Sequence, residues 1–327
     1  MSHQPELVIV GPLNIDIIAV GQAPLEPEAL QQWMGLSKVS VNAAGSAGYV
    51  LMDLQRLGVR CGVISTVGSD PLSAFLMRAL HDAGVDTARV RVQPGTTSAI
   101  AIYMLLFGSK KRPLTGQVAT HAPWPAVFSD ADFACVAGAR LLHVAGYLHY
   151  PDMWGAYMAE LCQHARTRGL IVSLDPQFPL VPVDPPWMVG LEGLIAHVDV
   201  FLSDEDEARS IVGIDDLDRA AAALLAAGPH TVVIKRGAQG SLIYHAGGER
   251  IAQPPYPVPE AEVSDSIGAG DAFDAGFLYG VLEGWPLARC GQFASTVAAM
   301  SLRGPGGTEA VPDRAAVERA CAACFGG

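Results

Sequence analysis

Short runs of β-branched and aliphatic residues alternate along this chain with longer stretches of helical spacing, and that alternation most narrows its fold. The runs are LVIVG, CGVISTVG, RLLHVAG, GLIVSLD, VDVFLSD, TVVIKRG and GSLIYHAG; SAGYVLMDLQRLG, PLSAFLMRALHDAG, DMWGAYMAELCQHARTRG and DLDRAAAALLAAG read as helices. Strands separated by helices need crossover connections, which predicts a mostly parallel sheet covered on both faces. Several helical stretches stop at Gly, as left-handed C-terminal caps do. Residues 15–43 and 95–117 break the rhythm with strand-like alternation and no helix between. They predict a small antiparallel sheet standing off the main one, a candidate lid over the carboxyl edge of the parallel strands.

The chain has 327 residues, 50% of them hydrophobic, which is ample for a large core. Its formal charge of −12 argues against a nucleic-acid or anionic-membrane surface, so any phosphate site must be local. The apolar start ELVIVGPLNIDIIAV is interrupted by Pro12, Asn14 and Asp16, with no basic segment before it. No apolar run approaches the roughly 18 residues of a membrane span. These features predict a cytoplasmic protein without membrane partners. The six cysteines lack disulfide spacing, and Cys321 and Cys324 in CAAC read as free structural thiols.

Neither G-x-x-x-x-G-K-[ST] nor a G-x-G-x-x-G at the first strand–helix junction occurs, so a P-loop or dinucleotide site is not supported. DSIGAGDAFDAG at 265–276 offers another route. If Gly268, Ala269 and Gly270 open a helix, their N–H groups converge and their small side chains let an anion approach. Asp271 then reads in two ways: a helix-capping carboxylate, or a base accepting a hydroxyl proton during attack on a γ-phosphoryl group.

DSIGAGD is similar to the D-T-x-G-A-G-D signature of the PfkB, or ribokinase-like, carbohydrate kinases. GPLNIDIIAV, AAGSAGYVLMDLQRLG, STVGSD, HDAGVD, SLDPQF, LSDEDEA and VIKRGAQGS follow in the family's order. The resemblance implies one ribokinase-like domain over 1–327, a three-layer α/β/α sandwich with a mostly parallel sheet and a small β-sheet lid. It implies an ATP-dependent sugar kinase using Mg²⁺, with a monovalent cation (K⁺) in some members and a homodimer joined through the lids. Asp271 would be the base, and Gly268, Ala269 and Gly270 the anion hole. SDEDE stands at the N-x-x-E position, so Glu207 would help place Mg²⁺, with Asp204 where Asn is usual. Lys235, Gly237 and Gly240 resemble the nucleotide loop, with the Lys235 ammonium available to phosphate. FASTVAAMSLRGPGGTEAVP would wall the adenine and help hold a cation near Asp265.

On the acceptor side the resemblance assigns Asp16 to sugar hydroxyls, with Asn14, Gly45, Ser46 and Tyr103 nearby. Tyr49 stands where the family often has Asn, which suits a sugar other than ribose, or a nucleoside stacking its base on the ring. A nucleoside kinase and a catalytically silent metabolite-binding member are the alternatives. His143 and His149 read as core residues, and Ser109–Pro113 (SKKRP) as a solvated lid turn.

Overall fold

The computed structural model describes residues 4–20, 29, 38–104, 114–118, 122–304 and 306–326. Its strands are β1 (Leu7–Val10), β2 (Asn14–Val20), β3 (Lys38–Ala44), β4 (Cys61–Gly68), β5 (Asp86–Gln93), β6 (Ala99–Met104), β7 (Leu114–Val118), β8 (Leu141–Ala145), β9 (Ile171–Asp175), β10 (Val200–Asp204), β11 (Thr231–Lys235), β12 (Ser241–His245) and β13 (Arg250–Gln253). Its α-helices are α1 (Ser46–Arg56), α2 (Pro71–Asp82), α3 (Asp130–Ala137), α4 (Ala156–Thr167), α5 (Met188–Leu191), α6 (Glu205–Val212), α7 (Leu217–Ala227), α8 (Ala269–Leu282), α9 (Leu287–Ser301) and α10 (Arg314–Phe325). None of them is long and apolar enough to cross a membrane.

The main sheet runs β13-β12-β11-β10-β9-β8-β1-β4-β5, parallel from β11 to β5 and antiparallel at β12 and β13. The pleat divides each central strand between two cores. In β1, Leu7 and Ile9 pack with α1, α2, α8, α9 and α10 on one side, while Val8 and Val10 pack with α3 to α7 on the other. This is the expected three-layer sandwich, and it explains why β1 reads as an unbroken apolar run. The edge strands β5 and β13 lie outside the expected runs because they are half exposed and rich in polar residues.

The smaller sheet runs β3-β2-β6-β7 and corrects one expectation. It is mixed: β2 pairs antiparallel with β3 but parallel with β6. β2 follows directly on β1, and β6 follows β5 after a short turn; β1 and β5 already point the same way, so both strands leave the main sheet in one direction. Residues 109–113 lie outside the described part of the lid.

Candidate active site

The parallel strands end in chemistry. Asp175, Asp204 and Lys235 are the last residues of β9, β10 and β11, and Asn14 opens the small sheet just beyond β1. That carboxyl edge is where open α/β sheets place ligands. Gly268 caps α8 with φ of 72°, a left-handed conformation that glycine adopts without penalty, and a Cβ there would lie 3.2 Å from the Tyr49 ring. Ala269 and Gly270 form the first helical residues, and Asp271 follows, buried. First-turn N–H groups have no acceptor within their own helix, so this small-residue turn fits an anion.

Asp271 is held from across the sheet. Gln177 Nε2 donates to its Oδ1 at 3.1 Å, and Gln177 Oε1 accepts from Ser46 Oγ at 2.5 Å. Burial, then the charges of Asp175 and Asp16, push Asp271 up to about 8, against the opposing pull of Lys235. Sequence reasoning missed Gln177, although SLDPQF was recognised as part of the pattern.

Asp16 is fully buried, with both oxygens engaged by the protein: Asn14 Nδ2 donates to Oδ1 and Tyr49 Oη to Oδ2. Burial raises it to about 7 despite those two donors. Tyr49 is therefore a bridge from Asp16 to the Gly268 turn rather than an exposed stacking surface. Tyr103 packs against the same small cluster of Ile18, Ala44, Tyr49 and Ile267. Gly45 has φ of 90°, and a Cβ there would lie 2.4 Å from Asn14 Oδ1, so it lets α1 start against the small sheet.

The Lys235 ammonium, expected to be available to phosphate, is held by Asp175 Oδ2 at 2.7 Å and by both Asp274 oxygens at 3.1 Å. Two buried carboxyls outcompete solvent for it, and it still lies close to the anion turn, 3.7 Å from a Cβ built on Gly270. Burial alone would depress the ammonium, yet Asp175, Asp274 and Glu207 together hold it well above the ordinary lysine range. Burial likewise pushes Asp175 up, but Lys235 and a hydrogen bond from Asp274 bring it below its usual value. Burial drives Asp274 and Glu207 well above theirs. Lys235 is thus the cation shared by this carboxyl cluster, closest to Asp175 and next to Asp274.

Asp204 and Glu207 form a reciprocal capping box at the start of α6. Asp204 Oδ1 accepts from Glu207 N at 2.8 Å, and Glu207 Oε2 from Asp204 N at 2.7 Å. Asp265 bonds Ile267 N at 2.9 Å and Gly306 N at 3.1 Å, tying the α8 approach to the 306 turn. Gly237 and Gly240 shape the short turn after β11, at φ of 52° and 82°. His143 is buried and lowered to about 4 by burial, neutral beside Ser173 Oγ at 2.9 Å. His149 Nδ1 meets Phe178 O at 2.6 Å, and the cysteines are free thiols. Among the described residues no three His, Cys, Asp or Glu side chains are grouped to hold a metal ion. A Mg²⁺ ion carried by triphosphate keeps several waters and needs one or two protein carboxylates, which Asp204 and Glu207 fit.

The family model for pfkB family carbohydrate kinases matches residues 4–314. A ribokinase of Arabidopsis thaliana is 26% identical over 324 residues, covering 97% of this chain and 81% of its own length. A 2-dehydro-3-deoxygluconokinase of Bacillus subtilis (strain 168) is 28% identical over 323 residues, covering 92% and 94%. The solved structure of Arabidopsis thaliana ribokinase complexed with ribose and ATP superposes with a TM-score of 0.77 at 23% identity, over 98% of this chain and 99% of that one. The fold is therefore ribokinase-like, and the chain belongs to the pfkB family of carbohydrate kinases, phosphotransferases with an alcohol acceptor.

Proposed function

We propose that this chain is a cytoplasmic ATP-dependent sugar kinase that phosphorylates a hydroxymethyl group, with Asp271 as general base. The observation that carries the reading is Asp271 itself, buried in the first turn of α8 with Oδ1 held by Gln177. As the acceptor oxygen bonds to the γ-phosphorus, its proton passes to Asp271. The bond from that phosphorus to the β–γ bridging oxygen breaks, and ADP leaves. The Gly268–Gly270 turn stabilises charge on the transferring oxygens, helped by the nearby Lys235 cation. Mg²⁺, when bound, neutralises phosphate charge, and Asp204 and Glu207 are the residues to hold it. Asp265 would serve a K⁺ ion, since a carboxylate oxygen that accepts one N–H keeps capacity for a cation. Val39 and Val41, exposed on the edge strand β3, support a homodimer through the lids.

Tyr49 narrows the acceptor. Its hydroxyl already donates to one Asp16 oxygen, so a fully hydroxylated sugar must share that carboxylate with it, whereas an acceptor lacking a hydroxyl there need not. The 2-dehydro-3-deoxygluconokinase relative supports a deoxy keto-sugar acid ahead of a pentose. The half-buried Tyr103 ring keeps a nucleoside as the second reading.

The test is product formation by mass spectrometry over pentoses, hexoses, keto-sugar acids and nucleosides, with ATP, Mg²⁺ and K⁺ and with Asp271→Asn as control. One phosphorylated sugar that vanishes in the variant is the expected result; a nucleoside product alone overturns the sugar reading. Tyr49→Asn, which frees Asp16 Oδ2, should shift kcat/KM toward hydroxylated sugars by about tenfold or more. Unchanged selectivity would remove Tyr49 from the specificity argument.

A further inference from the structure

Gln177 is the one non-glycine among the described residues at positive φ, 54°. A left-handed conformation costs an L-residue about 1–2 kcal/mol, and such strain persists only where the surroundings impose it. They do so here from both directions. Asp175 Oδ1 accepts Gln177 N at 3.0 Å and closes the turn, while Asp175 Oδ2 is anchored by Lys235. The side chain spans from Ser46 Oγ to Asp271 Oδ1. The NH₂ end of the amide faces Asp271 and Ser46 donates to the carbonyl end, the orientation that the ionised, accept-only carboxylate requires.

We propose that Gln177 is the positioning residue of the phosphoryl-transfer base: by occupying Oδ1 of Asp271 it makes Oδ2 the oxygen that takes the acceptor proton. The proposal rests on the reading of Asp271 as base. A carboxylate has four acceptor directions, and only those turned to the acceptor hydroxyl are productive; an amide fixed at its far end by Ser46 removes the freedom of the ring of choices. The same donor favours the ionised carboxylate, the form the reaction needs. The other charged or titratable groups facing Asp271 are Asp16, Tyr49, Asp53, Tyr103, Asp175, Lys235 and Asp274.

Gln177→Leu removes the amide at similar volume, and Gln177→Gly removes it while relieving the left-handed strain. Both are measured beside Asp271→Asn, with the sugar that the wild type phosphorylates. The expected result is a kcat loss of about 10- to 100-fold in both Gln177 variants, with KM for ATP within about threefold. The acid limb of the pH profile should also move up by about half a unit or more. The melting temperature of Gln177→Gly is measured alongside, and a kcat loss with melting within a few degrees of wild type is not a folding defect. Wild-type kcat and pH profile in Gln177→Gly, with Asp271→Asn inactive, overturn this proposal alone. Near-wild-type turnover in Asp271→Asn overturns the base assignment beneath it.

Discussion

Asp271→Asn should fold like the parent chain and lose turnover on the order of 10²–10⁴-fold, the usual contribution of a positioned general base. An amide fills the same space and can still accept from Gln177, but it cannot take the acceptor proton. The wild type adds a pH signature. With the free carboxyl raised to about 8, kcat/KM should fall as pH drops below that value, and this limb should vanish from the residual activity of the variant. Stability should move the other way. The folded-state value lies above the unfolded one of 3.8, so the neutral acid's contribution is whole below about pH 4 and is lost as pH rises through about 8. Asn carries no such loss, so the variant should gain melting temperature over the wild type between pH 5 and pH 9. Turnover within about threefold of wild type, or a melting difference flat in pH, would sink the assignment.

Much of this could be read in the residues beforehand, and what could not has a common cause. Each of the seven β-rich runs is a strand: six are parallel strands covered on both faces and so largely apolar, as β1 is, and GSLIYHAG is the antiparallel β12. The Gly-Ala-Gly turn was legible since its conformation depends on neighbours in sequence. The direction of β6 was not, because alternation carries no sense of direction. The partners of Lys235 lie 60 and 39 residues away, and Gln177 reaches Asp271 across 94, so only the tertiary fold joins them. A strand-end lysine reads equally well as solvated or phosphate-bound until those carboxyls arrive. Asp204 and Glu207 differ: Asp-x-x-Glu before an apolar helix is a capping signature that the residues displayed, and it gives both carboxylates structural work besides any metal.

Lys235→Met should produce the largest loss of stability, about 3–5 kcal/mol, or a melting temperature lower by about 10 °C. Methionine keeps most of the stem's packing and removes only the charge. Asp175 is then left buried without a cation, and it must either stay ionised at high cost or take up a proton. If charge is the cause, the deficit should grow as pH rises from about 4, because the unfolded chain ionises Asp175 ever more readily than the variant's interior does. Adding Asp175→Asn should recover part of the loss, with a coupling of about 1–3 kcal/mol in the double-mutant cycle. A deficit flat in pH, or strict additivity, would point to lost packing instead and would remove the ion pair from the account of this site. The cluster's location gives the prediction its interest, since Lys235 joins the end of β9 to α8 through Asp175 and Asp274. Those two elements present Gln177 and Asp271, so the contact that holds the core together also holds the proposed base and its partner in one geometry.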